Sequence, residues 1–444
     1  MRVTSIFPTA DAVESATPAN RDRAVDVIRI ASLIGVVAGH TIMATSMIAD
    51  GVFTWGNLLT TSPVFQALTW VFQIMPLFFF AGVAASVGSW EPAGSWGGWL
   101  LKRCTRLYRP VFYYLAFWAA TLVVLRPLLP SRVYESIAGI SIQLLWFLGV
   151  YVVVLAAVPL LARITTVARF AGAVTATYAL IALVDVIRVH DAAWSALGYL
   201  NLVAWLIPGM FGVAYRRRLF TTRTALAVGV TMFAVNVALV WLGPYELSLV
   251  GIDTQELKNM MPPSLLLAGH AIMMCAFAIA AAPAVARWAG RPRVWRFAVI
   301  GNSGAMTLYL WHMPALLGVH LAFDYLGLAR WPGQPNFWAI SAAQVAVMAV
   351  LVCSSFVFLR PLENDPLPLW DGGSVAHPGL RSAVVGALLC VAGAATLAAA
   401  GWGLKDDGLD CVLVVLAALT GARLLACDTP ATANPKPVAH TSVG

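Results

Sequence analysis

Charge is scarce in this chain. Only 11% of its 444 residues are Asp, Glu, Lys or Arg, against about a quarter in a soluble globular protein. Together with 60% hydrophobic residues and a mean hydropathy of +0.81, this excludes a water-soluble domain. Lysine is rarer still, four of the 28 basic residues. The six cysteines (Cys104, Cys275, Cys353, Cys390, Cys411, Cys427) form no CxxC pair and no metal-ligand spacing, so they read as packing residues. The first twenty residues lack the basic, apolar, then small-residue order of a signal peptide. They are expected to be a disordered cytoplasmic tail.

What the chain does have is apolar blocks about twenty residues long, the length that crosses a bilayer core. They fall near 25–48, 64–89, 107–129, 141–161, 170–189, 195–215, 224–243, 263–283, 297–320, 336–359, 381–402 and 409–426. The expected fold is an all-α polytopic membrane helical bundle, a ten-helix core plus a C-terminal helix pair. Its divisions are a cytoplasmic N-terminal tail (1–22), a membrane domain (23–360), a cytoplasmic linker (361–380), the helix pair (381–426) and a disordered tail (427–444).

The net charge of +8 does not point to nucleic acid, because the basic residues cluster briefly between apolar blocks. With the N-terminus in the cytoplasm, 20 Lys and Arg fall inside and 6 outside. That bias puts both termini on the cytoplasmic side, and a multi-pass protein of the cell inner (plasma) membrane is expected. The longest outer loop, 244–262, carries Glu246, Asp253 and Glu256 against Lys258.

The first apolar block, "AVDVIRIASLIGVVAGH", holds three ionisable residues that hydrocarbon disfavours. Arg29 and His40 are eleven residues apart, which returns a helix to within about 20° and separates them by roughly 16 Å. They therefore share a face, Arg29 near the inner surface and His40 in the outer half. Asp26 can pair with Arg29 at i,i+3. His312 and His270 are also expected roughly 10–12 Å below the outer surface, counted from their helix ends. Asn302, Tyr309 and His312 fall on one broad face. Each has a plainer reading: a snorkelling Arg29 paired with Asp26, a helix–helix hydrogen bond at His40, and a satisfied core histidine at His270.

These residues resemble the signature of the acyltransferase-3 family of integral membrane O-acyltransferases. The arginine, ten residues, then histidine of the first helix is one motif. "FQIMPLFFFAGVAAS" (72–86) resembles the family's second helix, and "KRCTRLYRP" (102–110) its basic Arg-x-x-Arg segment before the third helix, matched by Arg103 and Arg106. "NSGAMTLYLWHMP" (302–314) resembles the late helix with serine, tyrosine and histidine, here Ser303, Tyr309 and His312. "LLWFLGVYVVVLAAVPLL" (144–161) fits the Trp-x-Leu helix. The resemblance covers about 25–360. Where some members carry a glutamate soon after that Trp-x-Leu, this chain runs from Trp146 to Tyr151 with no carboxylate. The esterase-like domain that some members carry is not expected in the residues after 360, and the C-terminal helix pair is expected to be additional to the ten-helix core.

The resemblance implies an enzyme that moves an acyl group, acetyl or similarly short, from cytoplasmic acyl-CoA to a hydroxyl of a cell-envelope glycan or glycolipid. No metal is implied, and three histidines on separate helices show no local zinc spacing. Arg103, Arg106 and Arg109 are expected at the inner surface, where guanidinium groups bind phosphate, although the same residues also serve as a topology signal. The acyl arm would run past Arg29 and present its thioester near His40, the expected general base. His312 or Tyr309 would orient the acceptor or stabilise the oxyanion. A transporter of an envelope precursor is the rival reading, opposed by the lack of similarity between residues 1–220 and 221–444. A binding or regulatory protein without catalysis is a third.

Overall fold

The computed structural model describes residues 7–90, 94–251 and 257–428. Arg2, Lys436, Asp253, Glu256 and the C-terminal tail from 429 lie outside the described residues. Among those described, twelve helical spans are long and apolar enough to cross a membrane, which makes this a multi-pass, all-α bundle.

In chain order the helices begin with α1 (Ala10–Ser15) and α2 (Arg23–Met43), followed by a hairpin of β1 (Ala44–Ala49) and β2 (Val52–Asn57). Then come α3 (Pro63–Phe72), α4 (Met75–Trp90), α5 (Trp96–Leu125), α6 (Ser131–Ile140), α7 (Leu145–Ala156), α8 (Val158–Leu161) and α9 (Val167–His190). A 3-10 stretch, Ala192–Trp205, leads into α10 (Leu206–Arg216), α11 (Thr222–Leu242), α12 (Leu265–Ala289), α13 (Pro292–Asn302), α14 (Ala305–Tyr325) and α15 (Phe337–Asn364). Last are β3 (Gly373–Ser374), α16 (Leu380–Trp402), α17 (Asp407–Leu425) and β4 (Cys427–Asp428).

Four expectations are corrected. The first helix stops at Met43, not near 48, because Asp50 and Gly51 take φ of 51° and 72°. That pair makes a two-residue hairpin turn, with Ala49 opposite Val52 and Ser46 opposite Trp55. The basic segment at 102–110 is not before a helix but inside the 30-residue α5. The block at 297–320 is broken at Ser303–Gly304, so Asn302 ends one helix and His312 belongs to the next. A side chain at Gly304 would run into the Phe356 ring, so the break packs closely on α15.

The fourth correction concerns the N-terminal tail, which is ordered from residue 7. Thr9 caps α1, Val13 is buried, and Trp295 donates its indole N–H to Thr17 at 2.7 Å. The bundle thus has two poles. The arginine pole carries α1, the start of α2 and the 365–379 loop, and the hairpin pole carries β1 and β2.

Of the C-terminal pair, α16 is wedged against α5 and α7, and α17 packs on α16. Ser382 on α16 accepts from the Gly97 amide at 2.9 Å, and Tyr108 meets Thr396 at 3.1 Å. Gly149 on α7 faces Gly393 and Leu397 so closely that an added Cβ would lie 2.6 Å from Gly393 O and from Leu397 N. Neither backbone atom can move aside. Gly149→Leu is expected to cost about 1–3 kcal/mol through overpacking, read as a lower melting temperature in detergent. Gly172→Ala, with nothing within 4 Å of the new methyl, should melt no lower than wild type.

Candidate active site

Three neighbouring elements fix the end of α2. Arg330, 3% exposed, donates to the carbonyls of Ile42 (2.8 Å) and Ala44 and to Ser341 Oγ (2.8 Å). Burial pushes its guanidinium down to about 10, which leaves it a cation at neutral pH. A cation on the last carbonyls of a helix also complements the helix dipole. Gln344 donates to the Thr41 carbonyl at 2.7 Å. Beyond, Ser46 Oγ lies 2.7 Å from both His320 Nδ1 and Asp324 Oδ2 on α14, tying the hairpin to that helix.

With its helix end held in this way, His40 faces His312. His40 Nδ1 lies 2.9 Å from His312 Nε2, and the rings stack at 5.2 Å between centroids and 21° between planes. His312 is 1% exposed, and its Nδ1 lies 3.0 Å from the Leu308 carbonyl. A carbonyl only accepts, so His312 Nδ1 carries the proton and donates to Leu308. In a neutral imidazole Nε2 is then the acceptor. His40 Nδ1 must therefore donate to it, and the lone pair of the half-buried His40 is left on Nε2.

The pairing recurs about 16 Å towards the arginine pole. Arg29 Nε donates to Asn302 Oδ1 at 2.7 Å, and Asn302 Nδ2 donates to the Asp26 carbonyl at 2.9 Å. The expected Arg29–Asp26 ion pair is present at 3.5 Å. Two contacts, Arg29–Asn302 and His40–His312, thus align α2 with 302–312 in parallel.

Tyr151 lies within electrostatic reach of both Arg29 and Arg103. Its ring is seated by Gly82 on α4, where a Cβ would lie 2.6 Å from Tyr151 Cε2. Glu363, near the end of α15, is half-buried within reach of Arg29 and accepts from the Thr307 amide (2.8 Å) and hydroxyl (2.9 Å). It caps the amides that the Ser303–Gly304 break leaves unpaired at the start of α14.

The remaining expected residues divide. Arg103 stacks over Trp99 at 3.7 Å and donates to Ser89, and Arg106 is exposed. Arg109 is 7% exposed and bound by both oxygens of Asp371 and by the Glu363 carbonyl at 2.8 Å. It holds the 365–379 loop and has no free edge for a phosphate. Tyr309 donates to the Leu144 carbonyl at 2.5 Å, beside Tyr114 on the Ser141 carbonyl at 2.7 Å. Both tyrosines satisfy carbonyls released where α6 gives way to α7, so the Tyr309 hydroxyl proton is committed to the backbone. His270 Nε2 donates to the Gln73 carbonyl at 3.0 Å. His270 is a buried core histidine apart from the His40–His312 pair, with one ring nitrogen engaged.

Glu363, Arg330, Tyr151 and the Ser46–His320–Asp324 cluster were not singled out in the sequence. Glu363 and Asp324 were visible as carboxylates at the ends of apolar blocks, whereas nothing marked Tyr151.

The family model described as an acyltransferase domain, acyltransferase-3, matches residues 22–359. The chain belongs to the acyltransferase-3 family. Its function is therefore of the membrane O-acyltransferase kind. No curated protein and no solved structure matches it. Within this acyltransferase-3 domain lie α2, the α13–α14 break and α5, whereas Glu363, Asp371 and the helix pair α16–α17 lie beyond the match.

Tyr309→Phe separates two roles. Leaving the Leu144 carbonyl unpaired is expected to lower stability by about 1–3 kcal/mol, with turnover per folded molecule retained. A variant with unchanged melting and lost turnover would instead put the Tyr309 hydroxyl on substrate.

Proposed function

We propose that this acyltransferase moves a short acyl group from cytoplasmic acyl-CoA to a hydroxyl of an envelope glycan or glycolipid, with His40 as general base. The observation that carries this reading is the hydrogen bond from His40 Nδ1 to His312, which leaves His40 Nε2 unprotonated and without a hydrogen-bond partner among the described residues. An alcohol is a poor nucleophile until its proton is removed, and a positioned imidazole can take that proton as the oxygen attacks. The hydroxyl oxygen bonds to the thioester carbonyl carbon and its proton passes to His40 Nε2. The C–S bond breaks, and the thiolate recovers the proton, releasing the ester and free CoA thiol.

The charge bias of 20 to 6 supports the arginine pole as the cytoplasmic one and the hairpin pole as the outer one, in the inner membrane. On that orientation Arg29 and Arg103 serve the phosphate-bearing half of the donor, and His40 meets its thioester. Arg106 is exposed on the same helix as Arg103 and can add to that attraction. Arg109 is removed from this set. His312 is a positioning residue, because both its nitrogens are engaged. Tyr309 has the same standing. An acceptor entering between the poles would reach His40 from the hairpin side.

The test is release of CoA thiol from acetyl-CoA, and from a long-chain acyl-CoA, by purified protein supplied with envelope lipid extract. His40→Ala is expected to reduce release per folded molecule by about 10²–10⁴-fold, with a lower melting temperature because the buried His312 Nε2 loses its partner. Undiminished release in that variant would remove His40 from the chemistry. A carrier of envelope precursors would release no thiol from either donor.

A further inference from the structure

Residues 8–21 precede the matched domain, yet they wall a cavity whose floor holds Arg29. The cavity measures about 420 Å³ and is bounded by Pro8, Thr17 and Arg21 on one side and Trp295, Asn302 and Ser303 on the other. That volume falls in the range of small-molecule sites.

The arm is held firmly against α13. Besides the Trp295–Thr17 hydrogen bond, Arg296 donates to the Pro8 carbonyl at 2.7 Å, and Arg23 bridges Glu14 at 2.5 Å while lying 4.9 Å over Trp295. Arg23 and Glu14 neutralise one another. On the floor the balance differs. Arg21 donates to both oxygens of Asp26, at 2.5 and 2.8 Å, and Arg29 contacts the same carboxylate at 3.5 Å. Among the residues that line the cavity, two guanidinium groups share one carboxylate, so the lining itself carries a net positive charge. Arg29 Nη1 makes no hydrogen bond among the described residues. Asn302 and Ser303 add polar atoms to the same wall.

We propose that this cavity binds a phosphate of the acyl donor, so that the N-terminal arm is part of the donor site. The inference rests on the acyl-CoA reading above and assigns the arm a role in it. A guanidinium pair with one shared counter-charge suits an entering phosphate, because charge-assisted bonds to Arg are strong. The choice of the donor over an inner-leaflet phospholipid headgroup follows from position. Arg29 lines the cavity, and the same helix face carries His40 eleven residues on.

Equilibrium binding of CoA and of pantetheine, which lacks phosphate, is measured on the full-length protein in zwitterionic nanodiscs. Wild type is compared with Arg21→Gln and with a chain lacking residues 2–17, each checked for wild-type melting. CoA should bind about tenfold or more weakly in both variants, with pantetheine affinity unchanged. Unchanged CoA affinity, or an equal loss for both ligands, would overturn the proposal. So would CoA affinity that falls only when anionic phospholipid is added to the wild type, which would make the headgroup the occupant. Binding is read without turnover. Arm-dependent CoA binding with no thiol release would therefore refute the transfer reading alone, whereas thiol release with wild-type KM in both variants would refute the arm's role alone.

Discussion

The hydrogen bond between His40 and His312 is the contact around which the polar interior is arranged. In a low-dielectric bundle an imidazole without a partner is costly, and two imidazoles can satisfy each other only if one donates and the other accepts. The Leu308 carbonyl settles which does which. The direction of donation then runs from His40 to His312 to backbone, and the lone pair stays on His40 Nε2. Holding that geometry requires α2 and α14 to keep their relative height, and the structure does this with the Arg29–Asn302 bond at one pole and the Arg330 clamp at the other.

Several other polar groups obey the same economy of partners. Breaks in membrane helices release amides and carbonyls that water cannot reach. Glu363 takes those at the start of α14, Tyr309 and Tyr114 those before α7, and Arg330 those at the end of α2. Asp185, another buried carboxylate, accepts from Arg188, Asn201, Tyr245 and the Leu265 amide. Burial beside that carboxylate raises the Tyr245 hydroxyl well above its ordinary range, so it remains a donor. Such residues look catalytic in a sequence because they are polar in an apolar run. Only a partner inventory separates them from His40.

Much of the architecture was legible because membrane spans are long and repetitive in composition. All twelve apolar blocks correspond to spans, and the eleven-residue spacing of Arg29 and His40 correctly placed them on one face. Relative depth was legible too, since counting from block ends put His40 and His312 at equal distances and the two side chains meet at 2.9 Å. The end of α2 was not, because the hairpin was read as helix, although Asp50-Gly51 between β-favouring residues is a two-residue turn signal. The break at Ser303–Gly304 was hidden inside a continuous apolar block. Arg109 could not be told from Arg103 and Arg106, since its partner Asp371 lies 262 residues away.

The protonation pattern of the histidine pair tests this account most directly. Nitrogen-15 spectra of histidine-labelled protein in lipid at neutral pH, assigned by comparison with His40→Gln and His312→Gln, report which ring nitrogen carries each proton. The account expects both His40 and His312 protonated at Nδ1, with an unprotonated Nε2 on His40. A proton on His40 Nε2 would contradict it, because the nitrogen assigned as the base would then be a donor.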